Sequence, residues 1–241
     1  AITDDGSYWV WIPRFKYIIS DSPTTAGENT SGKIDIKFIP TTDKIGTSGY
    51  SKVTNNEGEI LTKDSSGYII HPAFENGSSS GKNNGFANGE WDSELPGFWI
   101  AKYSMSAEDS KGVNVFPRNV VTSDNLKMVS KPNIIAWREI QIGQMYQNCL
   151  NYDTEKNSHL IKNSEWGAIA YLAHSQYGRN RNEISINNIE GKTGCSAGRP
   201  GDNTTHGDVS YEYNTIKGML ASTTGNIYGI YDMSGAYWTA T

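Results

Sequence analysis

The apolar residues of this chain come in short runs separated by long stretches of Gly, Ser, Thr and Asn, and that spacing limits the fold more than any single motif. Residues 8–19 (YWVWIPRFKYII), 33–39 (KIDIKFI), 67–74 (GYIIHPAF) and 94–106 (ELPGFWIAKYSMS) have the length and the β-branched and aromatic content of strands. Pro13 removes a ladder donor from the first run, which favours an edge or a bulge there. Residues 20–97 are otherwise loop-like, and 76–92 (NGSSSGKNNGFANGEWD) shows no periodicity and reads as a surface loop. Apolar residues are only 36% of the chain while Gly, Asn, Ser and Tyr abound, so short strands and loops are expected rather than a helical bundle. Fourteen Tyr and seven Trp serve either a loop-rich core or a sticky exposed face, and composition does not choose between them.

Two segments carry helical periodicity. In 134–150 (IIAWREIQIGQMYQNCL) the positions Ile135, Ile142, Met145, Tyr146 and Cys149 form one stripe and Trp137 and Ile140 lie opposite, which predicts a largely buried helix. In 162–178 (KNSEWGAIAYLAHSQYG) Asn163 or Ser164 is placed to cap the start. Trp166, Ile169, Ala170, Ala173 and Tyr177 share a face there, and Gly178 is placed to supply a left-handed stop. Residues 179–214 read as loop, and 226–238 as turns and aromatics.

Charge and hydropathy exclude several functions. The formal net charge is −5 and no Lys or Arg run is long enough to follow a phosphate backbone, so nucleic acid is not an expected partner, and neither is an anionic membrane. No stretch approaches the ~20 apolar residues of a membrane span, and residues 1–10 lack the basic start and apolar middle of a signal peptide, so the chain is expected to be soluble as given. It is also expected to be a fragment of a longer protein. Cys149 and Cys195 are open to bridging, since separation alone does not settle a disulfide. Two distant Cys and four scattered His do not supply zinc ligands at short spacing.

The order of segments is similar to a known family. A strand ending GFWIAKYS, a helix with an embedded Trp, then HLIKNSEWGAIAYLA, then NIYGIYDMSGAYW resembles the sulfatase-modifying-factor family, the formylglycine-generating-enzyme group within the C-type lectin fold. Glu165-Trp166 and the segment Gly229 to Gly235 carry the resemblance, which covers 94–241 and extends loosely over 8–74. It implies one α+β domain over 1–241, C-type-lectin-like, with two helices packed on a small twisted antiparallel sheet and long loops. The residues support scaffold roles independently. Trp166 and Trp238 are large plates suited to core filling, Gly229 and Gly235 permit backbone conformations or approaches that a side chain would block, and Asp232 is placed to accept backbone N–H bonds and hold its turn.

The same resemblance argues against catalysis. Enzymes of the group use a cysteine pair or a metal centre, and the reactive cysteines of the formylglycine-generating enzymes follow the segment that corresponds to 235–238. Three residues follow Trp238, and Cys149 and Cys195 fall at other positions, so no oxidase activity is expected. Ala236 and Thr239 stand where the family has Asn and Glu, which removes oxygen ligands a calcium ion would use. Asp202, Asn203 and Asp208 offer oxygen donors in 200–208, but such clusters usually make turns. His71, His159, His174 and His206 accompany no nucleophile motif. No metal or cofactor is expected.

What remains is a binding module. Within the resemblance, the variable proteins of diversity-generating retroelements are phage or bacterial surface receptors whose binding residues surround a Trp in this C-terminal segment, diversified chiefly at Asn codons. Ala236, Tyr237, Thr239, Ala240 and Thr241 are all types reachable from such codons, and a phenol such as Tyr237 combines apolar area with a hydrogen-bonding tip. The expected partner is a protein or glycan on a cell surface, and the expected location extracellular, on a cell surface or a virion. The alternative is a passive head domain of a pilin-like or cell-wall-attached surface protein, with an anchoring helix upstream of Ala1.

Overall fold

The computed structural model describes residues 1–21, 33–56, 58, 60–76, 91–187, 191–200 and 210–234 of the chain. In chain order its strands are β1 (Trp9–Pro13), β2 (Phe15–Asp21), β3 (Lys33–Phe38), β4 (Tyr50–Thr54), β5 (Ile60–Asp64), β6 (Ile69–Ile70), β7 (Gly97–Ala101), β8 (Ser106–Asp109), β9 (Asn114–Val115), β10 (Leu126–Val129), β11 (Ser185–Asn187) and β12 (Ser196–Pro200). Helices α1 (Ile142–Tyr152) and α2 (Asn163–Ala173) lie between β10 and β11. The fold is thus mixed α+β, dominated by strands in several small antiparallel sheets. Among the described residues no helix is long and apolar enough to cross a membrane. The chain divides into two compact units, a first made of Ala1–Val10, Ile100–Ile161 and Glu183–Thr241 and a second made of Trp11–Trp99 and Lys162–Asn182.

The second unit is built on a five-stranded sheet of order β3-β2-β6-β5-β4. Alternation decides what each face carries. Phe15, Tyr17 and Ile19 of β2 stand opposite Phe38, Ile36 and Ile34 of β3, so these six share one face. Helix α2 packs there: Tyr17 meets Tyr171 at 4.7 Å between ring centroids, and Phe38 meets Tyr177 just beyond the helix at 4.8 Å. Phe15 and Phe74 are both fully buried and meet edge to face, and each contributes roughly 1.5–3 kcal/mol by leaving water. On the opposite face Lys16 bridges to Asp64 at 2.8 Å and donates to the Tyr50 hydroxyl.

Helix α2 departs from its sequence expectation at both ends and on one face. Neither Asn163 nor Ser164 is the cap; the Glu165 carboxylate accepts the Lys162 N–H at 2.8 Å and is itself buried. The buried residues of the helix are Glu165, Ala168, Ile169 and Ala173, and Trp166 is 36% exposed, so Trp166 is not the core plate that its sequence context suggests. The helix ends at Ala173, and Gly178 has no left-handed φ. Crowding requires it instead, because a Cβ at Gly178 would lie 2.4 Å from the carbonyl oxygens of Leu172 and Ala173.

In the first unit the larger correction concerns α1, which begins at Ile142 rather than at residue 134. Glu139 has φ 58, a left-handed conformation that interrupts a helix, and the donors before it are used elsewhere. The Ala136 N–H bonds Gly191 O at 3.0 Å and the Trp137 N–H bonds Met105 O at 2.9 Å. Nor is α1 largely buried: Ile142 is 61% and Tyr146 53% exposed, and the buried residue of the helix is Asn148. Its amide accepts the Thr122 N–H at 2.8 Å and donates to Val120 O at 3.1 Å, so a polar side chain anchors this helix where an apolar stripe was expected. Segments read as loop or left without assignment in the sequence supply β8 through β12, with β10-β8-β9 and β11-β12 as antiparallel sheets.

The core of the first unit is aromatic. Tyr103 and Tyr231, at 1% and 2% exposure, stack with centroids 5.4 Å apart, with Tyr8 and Tyr213 packed against them. A second cluster joins Ala107, Met128 and Trp137, whose indole N–H bonds Pro117 O at 2.9 Å. Gly194 has φ +72 and lies against the Tyr103 ring, where a Cβ would come within 2.7 Å.

Candidate functional site

Residues 230–234 are held by a dense set of bonds within the first unit. Ile230 exchanges bonds with Thr223, its N–H reaching the Thr223 hydroxyl at 3.0 Å and its carbonyl accepting the Thr223 N–H at 2.9 Å. The Tyr231 N–H bonds Lys102 O at 2.8 Å, and its phenol donates to Tyr213 O at 2.8 Å. Ser234 O accepts the Asn187 N–H at 2.9 Å. Lys102 places its ammonium 5.4 Å from the Tyr103 ring centre and 5.9 Å from that of Tyr231, and donates to Ile227 O. Burial holds the Lys102 pKa below its ordinary value.

Asp232 is the centre of this arrangement. It is 8% exposed, has φ 63, and uses its carboxylate far along the chain rather than within its own turn. Oδ2 accepts the Ser104 N–H at 2.9 Å; Oδ1 accepts the Gly194 N–H at 2.8 Å and an amide N–H of Asn187. Burial pushes its pKa from 3.8 up to about 6, against the pull of the three donors. Gly229, just upstream, is fixed by crowding: a Cβ would lie 2.2 Å from the Ser222 hydroxyl and 2.5 Å from that of Thr224. The residues expected to contact a ligand, Ala236, Tyr237, Thr239, Ala240 and Thr241, lie outside the described residues, as do Gly235 and Trp238. The 202–208 oxygen donors lie outside them too.

A second polar arrangement, in the second unit, was not anticipated. Arg14 occupies the one-residue break between β1 and β2 and is 1% exposed. Its guanidinium donates to Phe74 O at 2.7 Å, to Asp43 O at 2.9 Å and weakly to Leu95 O at 3.5 Å, and pairs with the Glu94 carboxylate at 2.7 Å. One rigid fork thereby ties together the segments around residues 43, 74 and 95. Those segments border an open hollow of about 640 Å³ lined by Thr41, Thr42, Lys44, Ile45, Thr47, Asn76, Ser93 and Glu94. The only sequence signal for this hub was a single Arg inside the apolar run WIPRFKYII.

Two titratable groups of the second unit are strongly perturbed. Glu75 is 1% exposed and burial pushes it up to about 7; the Thr62 hydroxyl pulls the other way, the negative charge of Glu94 adds to the rise, and Arg14 and Lys52 oppose it. His71 is held at about 3 by burial among Phe15, Tyr17, Phe74 and Tyr171, with Nδ1 accepting the Ala73 N–H at 3.3 Å. A neutral ring that accepts a backbone bond and is enclosed by aromatics is a packing element, not a general base. Cys149 and Cys195 are free thiols, and burial pushes the first up to about 11 and raises the second, so neither is a ready nucleophile. Among the described residues no group of three or more His, Cys, Asp or Glu is placed to hold a metal ion.

No family model, curated protein or solved structure matches the chain.

Proposed function

We propose that the chain is a non-catalytic ligand-binding domain of C-type-lectin-like architecture, exposed on the surface of a bacterium or phage, that uses Ala236, Tyr237, Thr239, Ala240 and Thr241 to bind a protein or glycan. The observation that carries the reading is the clamp on the preceding residues. A buried carboxylate in a left-handed residue, bonded to Ser104, Gly194 and Asn187, fixes the chain four residues before Ala236. Fixing the base of a contact segment lowers the entropy lost when a ligand binds, and this allows the contact residues themselves to vary without loss of the scaffold. The resemblance of NIYGIYDMSGAYW to the sulfatase-modifying-factor family, and to the variable proteins of diversity-generating retroelements within it, supports the same assignment.

Sequencing the encoding gene from many isolates tests the reading. Substitutions are expected to concentrate at 236, 237 and 239–241 while Gly229, Asp232 and Gly194 stay constant. Uniform identity at 236–241, with variation spread over other surface positions, overturns it.

A further inference from the structure

The hollow in the second unit has features of a built site that the C-terminal reading does not use. Its volume, about 640 Å³, lies within the roughly 300–1,000 Å³ typical of small-molecule sites. Its rim comes from three separate stretches of chain, around residues 41–47, 76 and 93–94, and the buried Arg14 guanidinium bonds the backbone in or beside each of them through Asp43 O, Phe74 O and Leu95 O. The Glu94 side chain, 9% exposed, is held at the hollow by the 2.7 Å Arg14 contact and by the Asn76 N–H at 3.4 Å. Arg14 thus braces the three stretches that form the rim.

Hydrogen-bonding capacity then selects the ligand class. Arg14 neutralises Glu94, and the remaining lining charge, Lys44, is solvent-exposed and screened by water, so charge contributes little to the choice of ligand. The remaining lining is rich in groups that suit neutral hydroxyls. Thr41, Thr42 and Ser93 each carry a hydroxyl able to donate and accept, a carboxylate keeps lone pairs for additional donors, and Ile45 offers an apolar side for C–H groups. We propose that this hollow binds a neutral polyhydroxylated ligand, a single sugar ring or the end of a saccharide. The proposal does not depend on the function assigned to residues 236–241.

The test is a titration of the ¹⁵N-labelled full chain, followed by amide chemical shifts, with glucose, galactose, mannose and N-acetylglucosamine. Inorganic phosphate and n-butylammonium serve as charged controls. At least one sugar is expected to give saturable shifts in the millimolar range at residues 41–47, 76 and 93–95, with neither control producing them. Ser93→Trp and Thr42→Trp, both at exposed positions on the rim, should fill the hollow and abolish those shifts while the rest of the spectrum is kept. The readout is confined to residues 41–47, 76 and 93–95, so that failure here is distinguishable from failure of the C-terminal assignment. The proposal is overturned if no sugar saturates, if phosphate or butylammonium binds in preference, or if the sugar shifts survive both tryptophan variants.

Discussion

The ionisation of Asp232 offers a direct measure of how the segment before residue 235 is held. Two effects oppose each other at this carboxyl: burial disfavours its charge, and the N–H groups of Ser104, Gly194 and Asn187 favour it. Burial wins, since the pKa rises from 3.8 to about 6. A carboxyl with a raised folded pKa binds its proton more tightly in the native state, so its contribution to stability is largest at low pH and is lost as pH climbs from 3.8 through about 6. At 1.36 kcal/mol per pH unit of difference, the loss is about 3 kcal/mol. Asp232→Asn is isosteric with the protonated acid and does not titrate. Its stability relative to wild type should therefore rise by about 3 kcal/mol between about pH 4 and pH 7, whatever its offset at low pH. Asp232→Ala leaves two backbone donors and an amide without their acceptor, at about 1–3 kcal/mol each, and should be destabilised throughout. Urea denaturation of the three proteins at closely spaced pH values gives the differences, which cancel every other titrating group. A constant difference between Asn and wild type would show that the three donors balance burial, and one that moves the opposite way that they outweigh it; either refutes the argument.

Glu75 follows the same sign. Its folded pKa of about 7 against an ordinary 4.5 means that stability is lost as pH rises across that interval, and Glu75→Gln should recover about 3 kcal/mol above it; a pH-independent effect of the substitution in chemical denaturation counts against the argument. His71 has the opposite sign, because a base with a depressed folded pKa contributes stability above 6.5 that is lost as pH falls toward about 3. Its ring-proton resonances should stay those of the neutral form well below 6.5, and a midpoint near that value would sink the enclosed-ring description. Gly194→Ala combines a left-handed φ, costing about 1–2 kcal/mol, with a 2.7 Å approach to the Tyr103 ring, costing about 1–3 more. Calorimetry should show a clearly lowered Tm, and an unchanged one would mean that the ring has room to move.

Segments whose structure depends on near neighbours were legible from the residues alone. KIDIKFI forms β3 because its alternation matches a half-buried strand, and the periodic run after Lys162 forms α2 because small and apolar residues recur at helical spacing. Near Ile134 the same reasoning failed. The pattern around Trp137 suits a helix, but Ala136 and Trp137 give their N–H groups to Gly191 and Met105, partners no local window contains. At Trp166, too, helical spacing alone does not choose the buried face: Glu165, which accepts the Lys162 N–H, is buried, while Trp166 is 36% exposed.

The sequence by itself determined that this chain must be strand- and loop-rich, because composition and periodicity act locally and additively; that its aromatics Tyr103 and Tyr231 form a core was decided by the tertiary structure. Tertiary structure alone decided that Arg14 would join three distant backbone segments and that Asp232 would reach Ser104, 128 residues away in the chain. A buried charge takes its partners from whatever the fold brings near, since leaving it unpaired costs several kcal/mol, about as much as many single core contacts together. Such pairings carry no periodic mark in the sequence.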